Sequence, residues 1–170
     1  MPATFIVESG AGLTNSNSYC TLAEAEQYIL DFIGSAAWTA ASQAAKEAAL
    51  RQATRYIDAC YRFQGKKVIY NQALEWPRYE VFDSSGYYID TDKVPPKVKY
   101  ACAIIALAVI NGDIILPDLT TAVISSESMT VGPISSSTTY MGGKSPLKIY
   151  SLSDKMLKDF LLSGSRIERG

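Results

Sequence analysis

The chain contains no histidine among its 170 residues. That removes the commonest general base, the usual activator of a serine or cysteine nucleophile, and the commonest metal ligand. Cysteine is scarce: Cys20, Cys60 and Cys102 are widely spaced, with no C-x-x-C pair. An odd, scattered set fits folding in a reducing cytoplasm better than a disulfide scaffold. Cys60 and Cys102 fall inside apolar helical patterns and read as small buried hydrophobes. Neither charge sign dominates, with 16 Lys+Arg against 17 Asp+Glu. A surface that grips nucleic acid all over is therefore excluded, although a local basic face is not.

Long hydrophobic runs are also missing. The most apolar stretch, Ala101 to Ile110, covers about half a membrane crossing and reads as a buried core helix. Met1-Pro2-Ala3-Thr4-Phe5 lacks the basic start and apolar run of a secretory signal. No Walker loop, G-x-G-x-x-G, Gly-x-Ser-x-Gly or metal-ligand cluster occurs. Asp83, Asp90, Asp92 and Asp113 sit beside Ser and Gly, where turn formation explains them. These absences lead to the expectation of a protein that is not an enzyme, with no cofactor and no metal.

What is present is mainly helical. Thr21 with Glu24 three residues on is a capping box, and Leu22, Ala25, Tyr28, Ile29, Phe32 and Ile33 follow at helical spacing up to Gly34. Trp38 lies in a short connection. A second, Ala-rich helix runs from about Ser42 to Phe63, with Ala45, Ala48, Ala49, Ala53, Tyr56, Ile57 and Cys60 on one face. Arg51, Arg55, Asp58 and Arg62 lie opposite, on a solvated face or a subunit contact. Val94-Pro95-Pro96 launches a third helix to Asn111 that is apolar nearly all round, hence central. Residues 121–146 are rich in Ser, Thr and Gly and read as an extended arm. A last helix, Ser151 to Leu162, carries Leu152, Met156, Leu157, Phe160 and Leu161 on one face, with a capping signal from Ser151 to Asp154. It either folds back on its own core or docks in a partner's groove.

The least ordinary stretch is Gln72-Ala73-Leu74-Glu75-Trp76-Pro77-Arg78. A Trp-Pro step drives Trp76 out of the helical region and fixes φ at Pro77, so the chain turns there. Glu75 and Arg78 flank the turn as an opposite-charge pair. Trp76 either anchors a contact surface or simply fills a small core. Residues 66–94 form a long connection that ends in a Tyr-rich tip, Ser84-Ser85-Gly86-Tyr87-Tyr88, with the chemistry of a protein contact.

Several of these pieces, in this order, resemble a family of small tailed-phage proteins. They are Glu8-Ser9-Gly10-Ala11-Gly12-Leu13 with Asn15-Ser16-Asn17-Ser18-Tyr19, then Thr21-Leu22-Ala23-Glu24-Ala25, then Ala53-Thr54-Arg55-Tyr56-Ile57-Asp58. Arg62-Phe63-Gln64-Gly65, the Trp-Pro heptapeptide and Val94-Pro95-Pro96-Lys97-Val98-Lys99-Tyr100-Ala101 complete the set. The chain is similar to head–tail connector (adaptor) proteins, a family often labelled DnaT-like single-stranded-DNA-binding. The likeness covers most of residues 5–115 and is weaker beyond Pro117.

The resemblance implies a structural virion protein: a homo-oligomeric ring, commonly dodecameric, at the head–tail junction. It implies a portal protein on one side, a downstream tail or nozzle protein on the other, and double-stranded DNA passing through the lumen without sequence-specific binding. The expected organisation is a helical connector domain over residues 1–116, an arm over 117–150, and a C-terminal helix and tail over 151–170. On this reading Leu152, Met156, Phe160 and Leu161 face the portal. Trp76, Arg78, Tyr79, Tyr87, Tyr88, Met129 and Val131 meet neighbouring subunits. Deleting 151–170 is expected to leave a folded domain that no longer docks. The label supports a rival, a DnaT-like replication protein that binds single-stranded DNA. For that role Lys66-Lys67 with Tyr70, and Arg78 with Tyr79, are the candidate cation–aromatic sets.

Overall fold

Helix α4, Pro96–Ile110, is the spine of the molecule, and its sequence explains why. Pro96 starts the helix where its missing N–H costs nothing. Apolar residues then occur on every side, and Val98, Ala101, Cys102, Ala103, Ile105 and Ala106 are all buried. Helices α1 (Leu22–Ile29), α2 (Ala36–Ala40), α3 (Gln43–Cys60) and α5 (Ser151–Leu157) all pack against it. The computed structural model describes residues 4–32, 34–113, 115 and 150–162, and the backbone pairing of 126–131 and 134–139. Among the described residues the fold is mainly α, a small helical bundle with two short antiparallel strand pairs. No helix there is long and apolar enough to cross a membrane.

The capping box forms as expected. Thr21 Oγ1 accepts from the Glu24 N–H at 3.1 Å, and Glu24 Oε2 accepts from the Thr21 N–H at 2.8 Å. Helix α1 nevertheless stops at Ile29, before Gly34. Trp38 lies in α2 rather than in a plain connection, and it is fully buried. Helix α3 ends at Cys60 rather than Phe63, because Tyr61 turns extended (φ −116°, ψ 138°) to bury its ring. Its inner face carries Leu50 and Thr54 beside Ala49, Ala53, Tyr56 and Ile57, while Ala45 is exposed.

The long connection is not bare loop. Strand β1 (Lys66–Lys67) pairs antiparallel with β2 (Arg78–Tyr79), in the register Lys66 with Tyr79 and Lys67 with Arg78. Gly65, at φ +66°, enables that approach, since a Cβ there would sit 1.9 Å from the Tyr79 carbonyl oxygen. A further bridge joins Phe82 to Tyr88. In the arm, β3 (Ser126–Val131) pairs antiparallel with β4 (Ile134–Thr139), Met129 opposite Ser136 and Val131 opposite Ile134. The side chains of Met129 and Val131 lie outside the described residues.

The C-terminal helix folds back on the chain's own core. Leu157 and Phe160 are buried, the latter in a 3-10 turn, Lys158–Phe160, that continues α5. Gln64 fastens this segment: its N–H donates to the Phe160 carbonyl at 2.8 Å, and its Nε2 donates to the Asp159 and Leu161 carbonyls at 3.1 and 2.9 Å. This corrects two expectations. Phe160 has no surface to offer a portal, leaving Leu152 exposed and Met156 and Leu161 half-buried. Deleting 151–170 would also strip the core of Leu157 and Phe160, so a folded remainder is no longer expected. Ser151 is the first helical residue, and no side chain caps α5.

Candidate functional site

The entry segment is organised by one buried carboxylate. Glu8 is 1 % exposed and accepts from the N–H groups of Gly10, Gly12 and Leu13 and from the Ser16 hydroxyl, each at 2.9 Å. Gly10 (φ +105°) is required as glycine, because a Cβ would reach within 1.9 Å of the Asp92 carbonyl oxygen. The Glu-Ser-Gly-x-Gly-Leu sequence is thus an internal carboxylate cradle that docks the loop before α4 against the entry segment.

The Trp-Pro turn is the best-anchored point of the long connection. The peptide between Trp76 and Pro77 is cis. Trp76 is fully buried, with its indole edge-on to Phe63 and Phe160 at centroid distances of 5.5 and 5.6 Å. Gln72 braces the bend: its Nε2 donates to the carbonyls of Leu74 and Pro77, both at 2.9 Å. The expected ion pair exists, with Arg78 NH1 2.7 Å from Glu75 Oε2. The rest of the Arg78 guanidinium faces inward. It donates to the carbonyls of Gln64 (2.7 Å), Gly65 (2.9 Å), Glu75 (3.1 Å) and Phe63 (3.4 Å). Trp76 and Arg78, expected to meet neighbouring subunits, are therefore committed to the interior of their own chain.

Asp58, read as part of a polar outer face of α3, instead looks toward this turn. Its carboxylate accepts from the Tyr19 hydroxyl in a short contact and from the Glu75 N–H at 3.3 Å. The Tyr19 oxygen also accepts from the Glu75 N–H at 3.1 Å. Burial pushes the Asp58 carboxyl up to about 7, aided by the nearby Glu75 carboxylate and opposed by the Tyr19 and Glu75 hydrogen bonds and by Lys67. Burial, followed by the Asp58 charge, likewise holds the Tyr19 hydroxyl well above its ordinary range. Between the unfolded and folded values, the folded chain keeps a proton that the unfolded chain has released. Stability therefore declines as pH rises through that window. We expect stability, followed as the melting temperature, to fall between about pH 4 and about pH 7, at a slope of up to roughly 1.4 kcal/mol per pH unit. Asp58→Asn should flatten the profile across that interval. An unchanged profile in this variant would show that Asp58 does not titrate there.

Around this buried frame several aromatic and aliphatic side chains are exposed. Tyr70 is 100 % exposed, with Val68 and Ile69 beside it, just past Lys66 and Lys67. Lys66 Nζ lies 5.9 Å from the centre of the half-buried Tyr79 ring. A second tip carries Phe82, Tyr87 and Tyr88, all exposed. The nearby cations have partners: Lys67 pairs with Glu75 at 3.0 Å, Lys66 with Glu80 at 3.8 Å and Lys93 with Asp90 at 2.8 Å. Between α1 and α4 lies a cleft of about 480 Å³. The rings of Tyr28 and Tyr100 stack there at 4.2 Å, and Lys99 bonds to Glu24 at 2.6 Å. Among the described residues no group of three or more His, Cys, Asp or Glu could hold a metal ion.

One family model matches the chain over residues 3–170; its description is "Putative DnaT-like ssDNA binding protein". No curated protein and no solved structure matches.

Proposed function

The chain belongs to this DnaT-like family, and from that premise we propose that it is a non-catalytic protein that binds single-stranded DNA. The match along almost the whole chain is the observation that carries the reading. The surface supplies a place for it. Tyr70 offers a bare ring face on which a base can stack, and stacking on one aromatic contributes roughly 1–3 kcal/mol. Lys66 and Lys67 precede it by a few residues. Lys66, which also lies over the Tyr79 ring, is held by a long, exposed ion pair to Glu80, which a phosphate can displace at little cost. Arg78, half of the other expected cation–aromatic set, is spent inside the fold and takes no part.

Fluorescence anisotropy with a labelled oligothymidylate at low salt tests this. We expect binding that Tyr70→Ala weakens by about 5-fold or more. The fold should be intact, because the removed ring touches only solvent. The salt slope should be shallow, consistent with about two phosphate contacts. No binding at low salt, or binding indifferent to Tyr70, would sink the reading.

A specific observation favours a second reading, the ring subunit of a phage head–tail junction. The described ion pairs leave the cations largely neutralised: Lys46, Lys97 and Lys99 bond to Glu26, Asp159 and Glu24 at 2.6–2.9 Å. Exposed Tyr87, Tyr88, Phe82 and Ile69 are the chemistry of protein contacts rather than of phosphate binding. On this reading Tyr79, Tyr87 and Tyr88 meet the next copy, Leu152 faces the portal, and duplex passes through the lumen ungripped. Sedimentation with portal-bearing heads separates the two: a ring added at one vertex, without oligonucleotide binding, establishes the second.

A further inference from the structure

The cleft between α1 and α4 holds an aromatic platform. Tyr28 and Tyr100 stack there nearly parallel, at an interplanar angle of 6°. Tyr28 covers one face of Tyr100, which is 40 % exposed, and no other ring packs on it among the described residues. The volume of about 480 Å³ is in the range that takes a small organic ligand. Most charges around it are paired. Glu24 and Lys99 hold each other at 2.6 Å, and exposed Lys93 pairs with Asp90. Asp31, which lines the cleft just past the end of α1, makes no hydrogen bond or ion pair among the described residues. The cleft also adjoins the Tyr70 surface. Gly12 lies against Ile69, the Leu13 carbonyl accepts from the Ala73 N–H at 2.8 Å, and Gly10 abuts the Asp92 carbonyl. Exposed Ala11, Ser9 and Lys93 therefore carry one continuous surface from Ile69 and Tyr70 to the cleft.

We infer, resting on the reading that the chain binds single-stranded DNA, that this cleft is a second base subsite for the same strand and that it prefers guanine. A base laid on the open side of Tyr100 gains the stacking that Tyr70 offers elsewhere on the track. Asp31 decides which base. An ionised carboxylate only accepts hydrogen bonds, and its two oxygens stand side by side. The pairing edge of guanine presents two adjacent donors, N1–H and the N2 amino group, which match both oxygens. Thymine presents a single donor, N3–H, between two carbonyl oxygens that a carboxylate repels. The phosphate beside the bound base goes to Lys93, whose exposed pair with Asp90 is exchanged at little cost. Glu24 is held by Lys99 and by the Thr21 cap, so it does not compete for the base edge.

The test uses the full chain. Anisotropy at low salt compares a labelled oligothymidylate of roughly 16 nucleotides with the same strand carrying one dG at its centre. The strand with dG should bind about 5-fold more tightly or better. Asp31→Asn, at an exposed position, should bring the two affinities together, because a carboxamide has one acceptor oxygen where guanine needs two. Tyr100→Ala should weaken both complexes, and adding Tyr70→Ala should weaken them further. Equal binding of the two strands by the parent chain, or a preference that survives Asp31→Asn, overturns the inference. So does binding indifferent to Tyr100→Ala. In each of those cases Tyr70-dependent binding of oligothymidylate still upholds the wider reading, whereas failure of both strands to bind sinks the two together.

Discussion

Replacing Arg78 by alanine should cost about 3–5 kcal/mol, a large share of the stability of a domain that has roughly 5–15 kcal/mol in all. The magnitude follows from what would be orphaned. Arg78 donates to the carbonyls of Phe63, Gln64, Gly65 and Glu75 and to the Glu75 carboxylate, and its own side chain is 9 % exposed. Water cannot readily replace it there, so several acceptors would lose their partner at once. Lysine should rescue little, because a single ammonium cannot span four carbonyls that the guanidinium fork reaches together. Arg55→Ala, on the exposed side of α3, should change stability by no more than about 0.5 kcal/mol. Urea denaturation followed by circular dichroism measures all three variants. An Arg78→Ala midpoint close to that of Arg55→Ala would show that the fork contributes little.

Truncating Trp76 to alanine is expected to cost about as much, roughly 3–5 kcal/mol, for a different reason. The indole fills the space between Phe63 and Phe160, and removing it leaves an apolar hole that the surrounding rings can close only in part. Its Nε1 has no hydrogen-bond partner among the described residues, so the loss is one of packing alone. Trp76→Phe should therefore recover more than half of the deficit. The chain has two tryptophans, so this variant also isolates the emission of Trp38. Equal losses in Trp76→Ala and Trp76→Phe would mean that shape, rather than volume, sets the cost.

What sequence could and could not reveal divides along local and distant lines. The Thr21–Glu24 box needs only its own neighbours and formed as read. So did α4, whose all-round apolarity marks a central position wherever its partners come from. The Glu75–Arg78 pair was visible three residues apart. By contrast, the four carbonyls that receive Arg78 come from both sides of the β1–β2 pairing, and no spacing rule connects them. Asp58 sits at helical spacing from Arg51 and Arg55 and looked like surface. Its partners, Tyr19 and Glu75, come from distant parts of the chain. The Phe160 reading failed the same way. An amphipathic face says that something covers it, and only the three-dimensional path showed that Trp76 is the cover. The sign that was available for Glu8 was a carboxylate with glycines two and four residues on, the pattern of a backbone nest.

The pairing of Trp76 with Phe160 also bears on how the protein is made. A growing chain presents Phe63 and Trp76 early, but the ring that closes their slot is among the last described residues to emerge. Until then the α4 surface that receives α5 is also bare, so the nascent polypeptide carries an open aromatic groove after the preceding helices have been made. A message truncated before the codon for Leu157 would thus yield a chain with a permanently exposed core, to be held by chaperones or degraded, rather than a shorter working copy.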